Sequence, residues 1–140
     1  MSNFNVRNIE LKDYEIINDW WELNSYEKPP LSLLPNNGLG GIVVEKEKPI
    51  AVGYIYMTNS KIAYIDYIIS NPNYKAKDRY DAILLLVSHC INHAYDLGCD
   101  RVWGMSNVKG IINRGIEVGC ETTTQDYTII THNSGKIKFN

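Results

Sequence analysis

The stretch from Ile62 to Leu97 constrains the chain more than any other. Ile62-Ala63-Tyr64-Ile65-Asp66-Tyr67-Ile68-Ile69-Ser70 is dense in β-branched and aromatic residues, which favours a strand. Asn71-Pro72 ends it, and Lys75, Lys77 and Arg79 follow in a basic turn. From about Tyr80 to Leu97, Ile83, Leu86, Val87, Cys90, Ile91 and Ala94 recur at helical spacing and predict a long amphipathic helix. A strand that feeds a helix through a cationic turn suits the holding of phosphate. The first-turn N–H groups are unpaired, and the positive end of the helix dipole faces the turn.

The remaining chain frames that junction. Phe4 to Leu11 is an expected first strand, its Phe4, Val6, Ile9 and Leu11 alternating imperfectly. Asp13 is placed to cap a helix in which Ile16, Ile17, Trp20, Trp21 and Leu23 recur through Asn24. Adjacent tryptophans point about 100° apart on a helix, so one is expected in the core and one at a flank or groove wall. Pro29-Pro30 breaks that helix, and Leu31 to Leu34 allow a short further turn before the loop Pro35-Asn36-Asn37-Gly38. Ile42-Val43-Val44, Ile50 to Thr58 after Pro49, and Ile62 to Ser70 read as an antiparallel meander of three strands. Gly98 stops the long helix, and a short strand spans Asp100 to Met105. Ser106-Asn107 can cap a helix from Val108 to about Val118, which Gly119 ends. Glu121 to Thr131, with Tyr127, Ile129 and Ile130, is expected as a final strand, and Asn133 to Asn140 as an edge piece or frayed end. The order β-α-(α)-β-β-β-α-β-α-β implies an α/β (α+β) sheet with helices on its faces.

Bulk properties exclude some functions. A chain of 140 residues is of one-domain size, so residues 1–140 are expected to form a single domain. The net charge of −2 argues against a nucleic-acid partner held by bulk electrostatics. No apolar run approaches the roughly 20 residues that span a bilayer. Met1-Ser2-Asn3-Phe4-Asn5 lacks the charged and apolar regions of a signal peptide, so a cytoplasmic location without a membrane partner is expected. Cys90, Cys99 and Cys120 have no regular spacing and read as reduced thiols. His89 and His93 share a helix face near Cys90, but no third ligand follows at a familiar spacing, and no metal is expected.

The element order and the run Ile68-Ile69-Ser70-Asn71-Pro72-Asn73-Tyr74-Lys75-Ala76-Lys77-Asp78-Arg79-Tyr80 resemble the GNAT superfamily of acyl-CoA-dependent N-acetyltransferases over almost the whole chain. Pro72, Tyr74 and Lys75 fall in register with the family's Pro-x-Tyr-Arg, and Gly119-Cys120 stands where the family usually has Gly-Phe. The resemblance implies a GNAT-like mixed, mostly antiparallel central sheet. It also implies acetyl-CoA as acyl donor and a primary amine as acceptor, and the acidic balance slightly favours a cationic amine. Two departures stand out. Asp78 and Tyr80 replace loop glycines that let backbone N–H groups approach a pyrophosphate. Gly115 stands where many members carry a tyrosine that protonates the departing thiolate. Glycine-poor loops with a basic residue before the helix also resemble small phage-encoded members.

Site residues follow from both arguments. Asp66 is the candidate general base on a strand among Ile65, Tyr67 and Ile68, with Tyr64 and Ile68 expected on its face and Tyr64 as the weaker alternative. Each has a structural reading as well, a hydrogen bond across the sheet or a place to position an amine. The resemblance implies that backbone groups of Ile68, Ile69 and Ser70 hold the pantetheine arm. Lys75, Lys77 and Arg79 would replace the glycine cradle, and Tyr80 and Asn107 are further cofactor contacts. Two rivals remain open: a non-catalytic domain acting through protein contacts, and a small nucleic-acid-associated module that stacks bases on Trp and Tyr. An amine-bearing acceptor is the expected partner, and a homodimer is compatible with the sequence.

Overall fold

The structure, a computed structural model, describes residues 3–123 and 128–138. Strand β1 is Asn5–Asn8, helix α1 Tyr14–Leu23, β2 Gly41–Glu45, β3 Pro49–Met57, β4 Ile62–Ser70, α2 Ala76–Asp96, β5 Arg101–Gly104 and α3 Lys109–Glu117. Short 3-10 turns occupy Leu11–Asp13, Leu31–Leu33 and Pro35–Gly38. The strands lie side by side in the order β1-β2-β3-β4-β5. The first three pairings are antiparallel and β4 with β5 is parallel. This is the expected mixed, mostly antiparallel sheet, meander included.

Each face of the sheet carries its own core. Ile42, Ile55, Ala63 and Ile65 pack with Ala82, Leu86, Cys90 and Ala94 of α2 on one side. Val43, Val52, Tyr54 and Ile69 pack with Ile17, Trp20 and Trp21 of α1 on the other. The alternation of side chains along a strand supplies both. Both tryptophans are buried, where one was expected at a flank, because the ring of Tyr67 meets Trp21 edge-on at 6.0 Å. Packing in α1 therefore accounts for the Trp pair, and neither ring walls a groove.

Four features differ from the sequence reading. Strand β1 is shorter than expected, ending at Asn8, and Leu11 opens a 3-10 turn instead. Helix α2 begins a full turn earlier, so Lys77, Asp78 and Arg79 sit on the helix rather than in a turn before it. Asp78 in a first turn is favoured by the dipole, and nothing in Ala76 to Arg79 opposes a helix. Asp13 does not cap α1. Arg7 captures it instead, with two hydrogen bonds of 2.7 and 2.8 Å. Of the expected final strand, residues 124–127 lie outside the described residues, and the flanking residues 121–123 and 128–131 are not strand.

Arg7 ties β1 to both β2 and the start of α1. Its Nε donates to Glu45 at 2.9 Å while its fork holds Asp13, which is 3% exposed. Burial alone would raise the Asp13 carboxyl, but hydrogen bonds from Arg7 and the Glu10 N–H together hold it below its ordinary value. The Arg7 hydrogen bond lowers Glu45 likewise. Both groups have depressed folded-state values, so their contribution to stability is complete above the ordinary carboxylate range. It is lost as pH falls through and below about 4. Arg7→Ala strands a buried carboxylate and is expected to cost about 3 kcal/mol in urea unfolding. It should also weaken the acid dependence of the midpoint; an unchanged midpoint would show that the pair is not needed.

Candidate active site

The β3–β4 ladder contains one irregularity. Val52 faces Ile69 and Tyr54 faces Asp66, so β4 carries one residue more than β3 over this interval. The extra residue is accommodated at Tyr67, whose φ is 52°. A non-glycine residue in that region costs about 1 kcal/mol or more. The Asp66 carboxylate offsets part of this by accepting the Tyr67 N–H at 2.7 Å. Gly53 stands opposite the bulge. A Cβ there would meet Leu86 and Ile68 side chains at 3.2 and 3.3 Å, closer than ordinary contact.

The bulge decides which side chains share a face. Tyr67 joins the α1-side core while Ile68 packs into the α2-side core. Asp66 therefore shares its face with Tyr64 and Tyr67, not with Ile68 as strict alternation predicts. Together with Leu33 and Tyr56 these residues line an open concavity of about 330 Å³. The Tyr56 hydroxyl donates to the Leu33 carbonyl at 2.7 Å, which pins the turn at Leu31–Leu33 over the sheet. Burial, then the neighbouring Tyr67 and Asp66, push the Tyr56 hydroxyl up to about 12, so it stays a donor through neutral pH. A larger concavity of about 480 Å³ lies near Asn36, Met57, His93 and Leu97, but no Asp, Glu, Lys or Arg lines it among the described residues.

The bulge also marks where β4 loses a partner. The parallel ladder runs from Ile62 opposite Arg101 to Ile65 opposite Gly104 and stops. From Asp66 to Ser70, β4 keeps β3 on one side and has no strand on the other among the described residues. Ile69 is buried, and the Ser70 carbonyl accepts from Asn24 at 3.1 Å. The edge at Ile68, Ile69 and Ser70 thus leads into the loop before α2. Asn71 braces that loop: its backbone N–H donates to Ile50 at 2.7 Å and its side-chain oxygen accepts the Asn73 N–H at 3.0 Å.

Helix α2 then starts at Ala76 without a side-chain cap, leaving its first N–H groups free of one. Lys75 is exposed beside it. Lys77 pairs with Asp81 at 3.0 Å on the helix surface. Arg79 is half-buried, and its Nε has no partner among the described residues. Asp78 turns away to Lys46 of the β2–β3 turn at 3.1 Å, so its charge is answered. Tyr80 leans on α3 instead. Its hydroxyl donates to Glu117, and the Arg114 guanidinium lies 3.4 Å above its ring. Asn107 is exposed between β5 and α3, with no side-chain hydrogen bond among the described residues.

The predicted residues thus separate into two groups. Tyr64 and Asp66 meet in the concavity, and Lys75, Lys77 and Arg79 gather on the first turns of α2. The β4 edge at Ile68–Ser70 connects the two. Sequence reasoning missed Tyr56, Tyr67, Leu33 and Trp103. Tyr56 faces Tyr64 across the ladder, so its face follows once the meander register is known. Trp103 neighbours Tyr64 in the β4–β5 ladder and packs edge-on against it at 5.6 Å. Leu33 arrives by loop closure and carries no local signal.

Neither a family model nor any curated protein matches the chain by sequence. Solved structures do match. Glucosamine-6-phosphate N-acetyltransferase from Arabidopsis thaliana aligns with a TM-score of 0.64 at 16% identity, covering 92% of this chain and 99% of the other. An aminoglycoside acetyltransferase from an uncultured soil metagenomic sample, in complex with trehalose, gives 0.63 at 13% identity, covering 96% and 98%. N-acetylglutamate synthase from Neisseria gonorrhoeae, complexed with coenzyme A and L-arginine, gives 0.69 at 17% identity, covering 86% of this chain and 28% of that one.

Tyr56→Phe removes the bond to the Leu33 carbonyl at a cost of about 1 kcal/mol. Amide exchange at residues 31–34 should quicken while that of β3 stays slow; unchanged exchange would mean the turn is held by other contacts. The strand order, the parallel β4–β5 pairing and these neighbours together give the chain the GNAT acetyltransferase fold.

Proposed function

We propose that the protein is an acetyl-CoA-dependent N-acetyltransferase that transfers an acyl group to a primary amine by direct attack. The observation that carries this is the end of the parallel ladder at Ile65 opposite Gly104, beside the Tyr67 bulge. An unpaired strand edge offers backbone groups to an extended ligand, as β-augmentation does. Support for an acyl-CoA comes from the other end of that edge. The uncapped start of α2, Lys75 and the unpartnered Nε of Arg79 suit a polyanion, and Lys46 relieves the site of the Asp78 charge. The neighbour complexed with coenzyme A supports the same donor.

When bound, acetyl-CoA supplies a thioester whose carbonyl carbon takes the amine nitrogen, a C–N bond forming as the C–S bond breaks and the thiolate leaves. The chain's part is to hold and to move protons. Backbone groups along Ile68–Ser70 align the donor, and such positioning alone lowers a barrier substantially. Asp66, exposed in the concavity, accepts the proton that the amine loses. Gly115 has no side chain to return a proton to the thiolate, which leaves Tyr95, Tyr127 or a water as the donor. Tyr64 and Tyr67 orient the acceptor. A homodimer and a single 1–140 domain are compatible with this arrangement.

Calorimetric titration with acetyl-CoA tests the reading. Binding is expected, and the double change Lys75→Ala with Arg79→Ala should weaken it by about tenfold or more, as loss of charge-assisted phosphate contacts does. No binding at millimolar acetyl-CoA would reject the enzyme and favour a protein-contact module. Asp66→Asn should slow turnover while leaving acetyl-CoA affinity unchanged; equal turnover would remove Asp66 as the base. Gly115→Tyr is a gain-of-function counterpart. A Cβ at Gly115 would make only ordinary contact, with Cys120 at 3.8 Å, so the backbone accepts a side chain there. Turnover should rise if proton return to the thiolate limits the rate.

A further inference from the structure

The walls of the Asp66 concavity are chemically one-sided. Tyr56, Tyr64 and Tyr67 present aromatic rings and Leu33 an aliphatic one. Trp103, 46% exposed and packed against Tyr64, extends the aromatic surface. Asp66 is the one lining side chain of fixed charge among the described residues. Its Oδ1 is spent on the Tyr67 N–H, and its other oxygen has no partner among the described residues. The Tyr56 hydroxyl is already given to Leu33. The site therefore offers ring faces, one carboxylate oxygen and the hydroxyls of Tyr64 and Tyr67. Among the described residues no lysine or arginine lines it that could answer a phosphate or carboxylate on the acceptor.

Ring faces attract a cation, and a carboxylate beside them adds charge complementarity. The volume, about 330 Å³, is near the lower end of small-molecule sites, roughly 300–1,000 Å³. We propose that the acceptor is a primary amine with a single positive charge on an apolar body about one aromatic ring in size. A phosphorylated amine finds no cation on these walls among the described residues. The ammonium lies against Asp66 and the body against Tyr64, Tyr67 and Leu33. This assignment rests on the acyl-transfer reading for its chemistry, but the amine site it describes exists without the donor.

The test is an NMR titration of the full chain without any acyl donor, using four probes: 2-phenylethylamine, 2-phenylethanol, ethylamine and glucosamine 6-phosphate. Phenylethylamine is expected to bind about tenfold more tightly than each of the others, since the alcohol lacks the charge and ethylamine lacks the body. Its shifts should centre on Tyr64, Tyr67 and the Trp103 indole. Asp66→Asn, which keeps an oxygen for the Tyr67 N–H, should abolish the advantage of phenylethylamine over phenylethanol. Leu33→Ser, at a side chain on an exposed turn, should weaken phenylethylamine severalfold and leave ethylamine unchanged. Glucosamine 6-phosphate or ethylamine binding as tightly as phenylethylamine would overturn the proposal, as would shifts centred elsewhere. Amine binding without acetyl-CoA binding would overturn the acyl-transfer reading and leave this site standing. Acetyl-CoA binding without the amine preference would overturn this assignment alone.

Discussion

Past Ile65, strand β4 has a partner on one side only among the described residues, and the candidate site depends on that asymmetry. A sheet strand with a free edge exposes unpaired backbone groups, which is costly unless something uses them. Here the free edge is short and begins at a bulge. The bulge bends the strand and increases its local twist, the usual way a ladder is made to part from a neighbour. The strain at Tyr67 is local, and three things hold it: the Asp66 carboxylate on its N–H, the Trp21 ring against its side chain, and the absence of a Cβ at Gly53. The same geometry that frees the edge thus collects Tyr64, Asp66 and Tyr67 on one face.

Charge is arranged by the same economy. The start of α2 has a lysine on either side of Ala76 and an arginine one turn on, with one acid between them. An acid in a first turn helps the helix through the dipole but opposes an anion at the same end. Lys46 resolves the conflict, because the β2–β3 turn brings a cation to Asp78 from the far side. Lys46 also lies 5.1 Å from the ring centroid of Phe4, the residue before β1, which helps to hold it there. Folding and the proposed phosphate site therefore draw on different carboxylates. Asp13 and Glu45 belong to Arg7, Asp78 to Lys46, and among the described residues Asp66 is the carboxylate that faces the concavity.

Much of the architecture was legible because period and punctuation agree. Ile62 to Ser70 is bounded by turns on both sides, and its limits coincide with those of β4. The meander followed from three short runs rich in β-branched and aromatic residues, Ile42-Val43-Val44, Ile50 to Thr58 and Ile62 to Ser70. What could not be read was set by contacts between elements. Nothing local marks Tyr67 as the bulge, since tyrosine is an ordinary strand residue and a left-handed φ is usually announced by glycine or asparagine. Gly53 was the nearest signal, a glycine inside an otherwise β-branched strand. Asp13 was assigned to a cap for a good local reason and lost to Arg7, a competitor several residues upstream in β1. Tyr80, read as part of the phosphate loop, belongs to an α2–α3 contact that only the packed helices create.

The candidate site is consequently built on, rather than in, the two cores. Val52, Tyr54 and Ile69 are buried against α1, and Ala63 and Ile65 against α2, so β3 and β4 are clamped from both faces along their length. Asp66 is exposed, and Tyr64, Tyr67 and Ser70 are half-buried on that clamped frame. A rigid frame with accessible polar groups is what positioning requires, because the geometry of a reacting pair must be held without the reacting groups themselves being locked. It also separates two kinds of constraint on the sequence. Changes at Val52, Leu86 or Ile17 act through cavity and packing terms, whereas a change at Tyr64 acts at the concavity and one at Asp66 acts both there and on the Tyr67 bulge. A chain of this fold can therefore drift far from its structural neighbours at the rim, while Tyr67, Gly53 and the end of the β4–β5 ladder hold the opening in place.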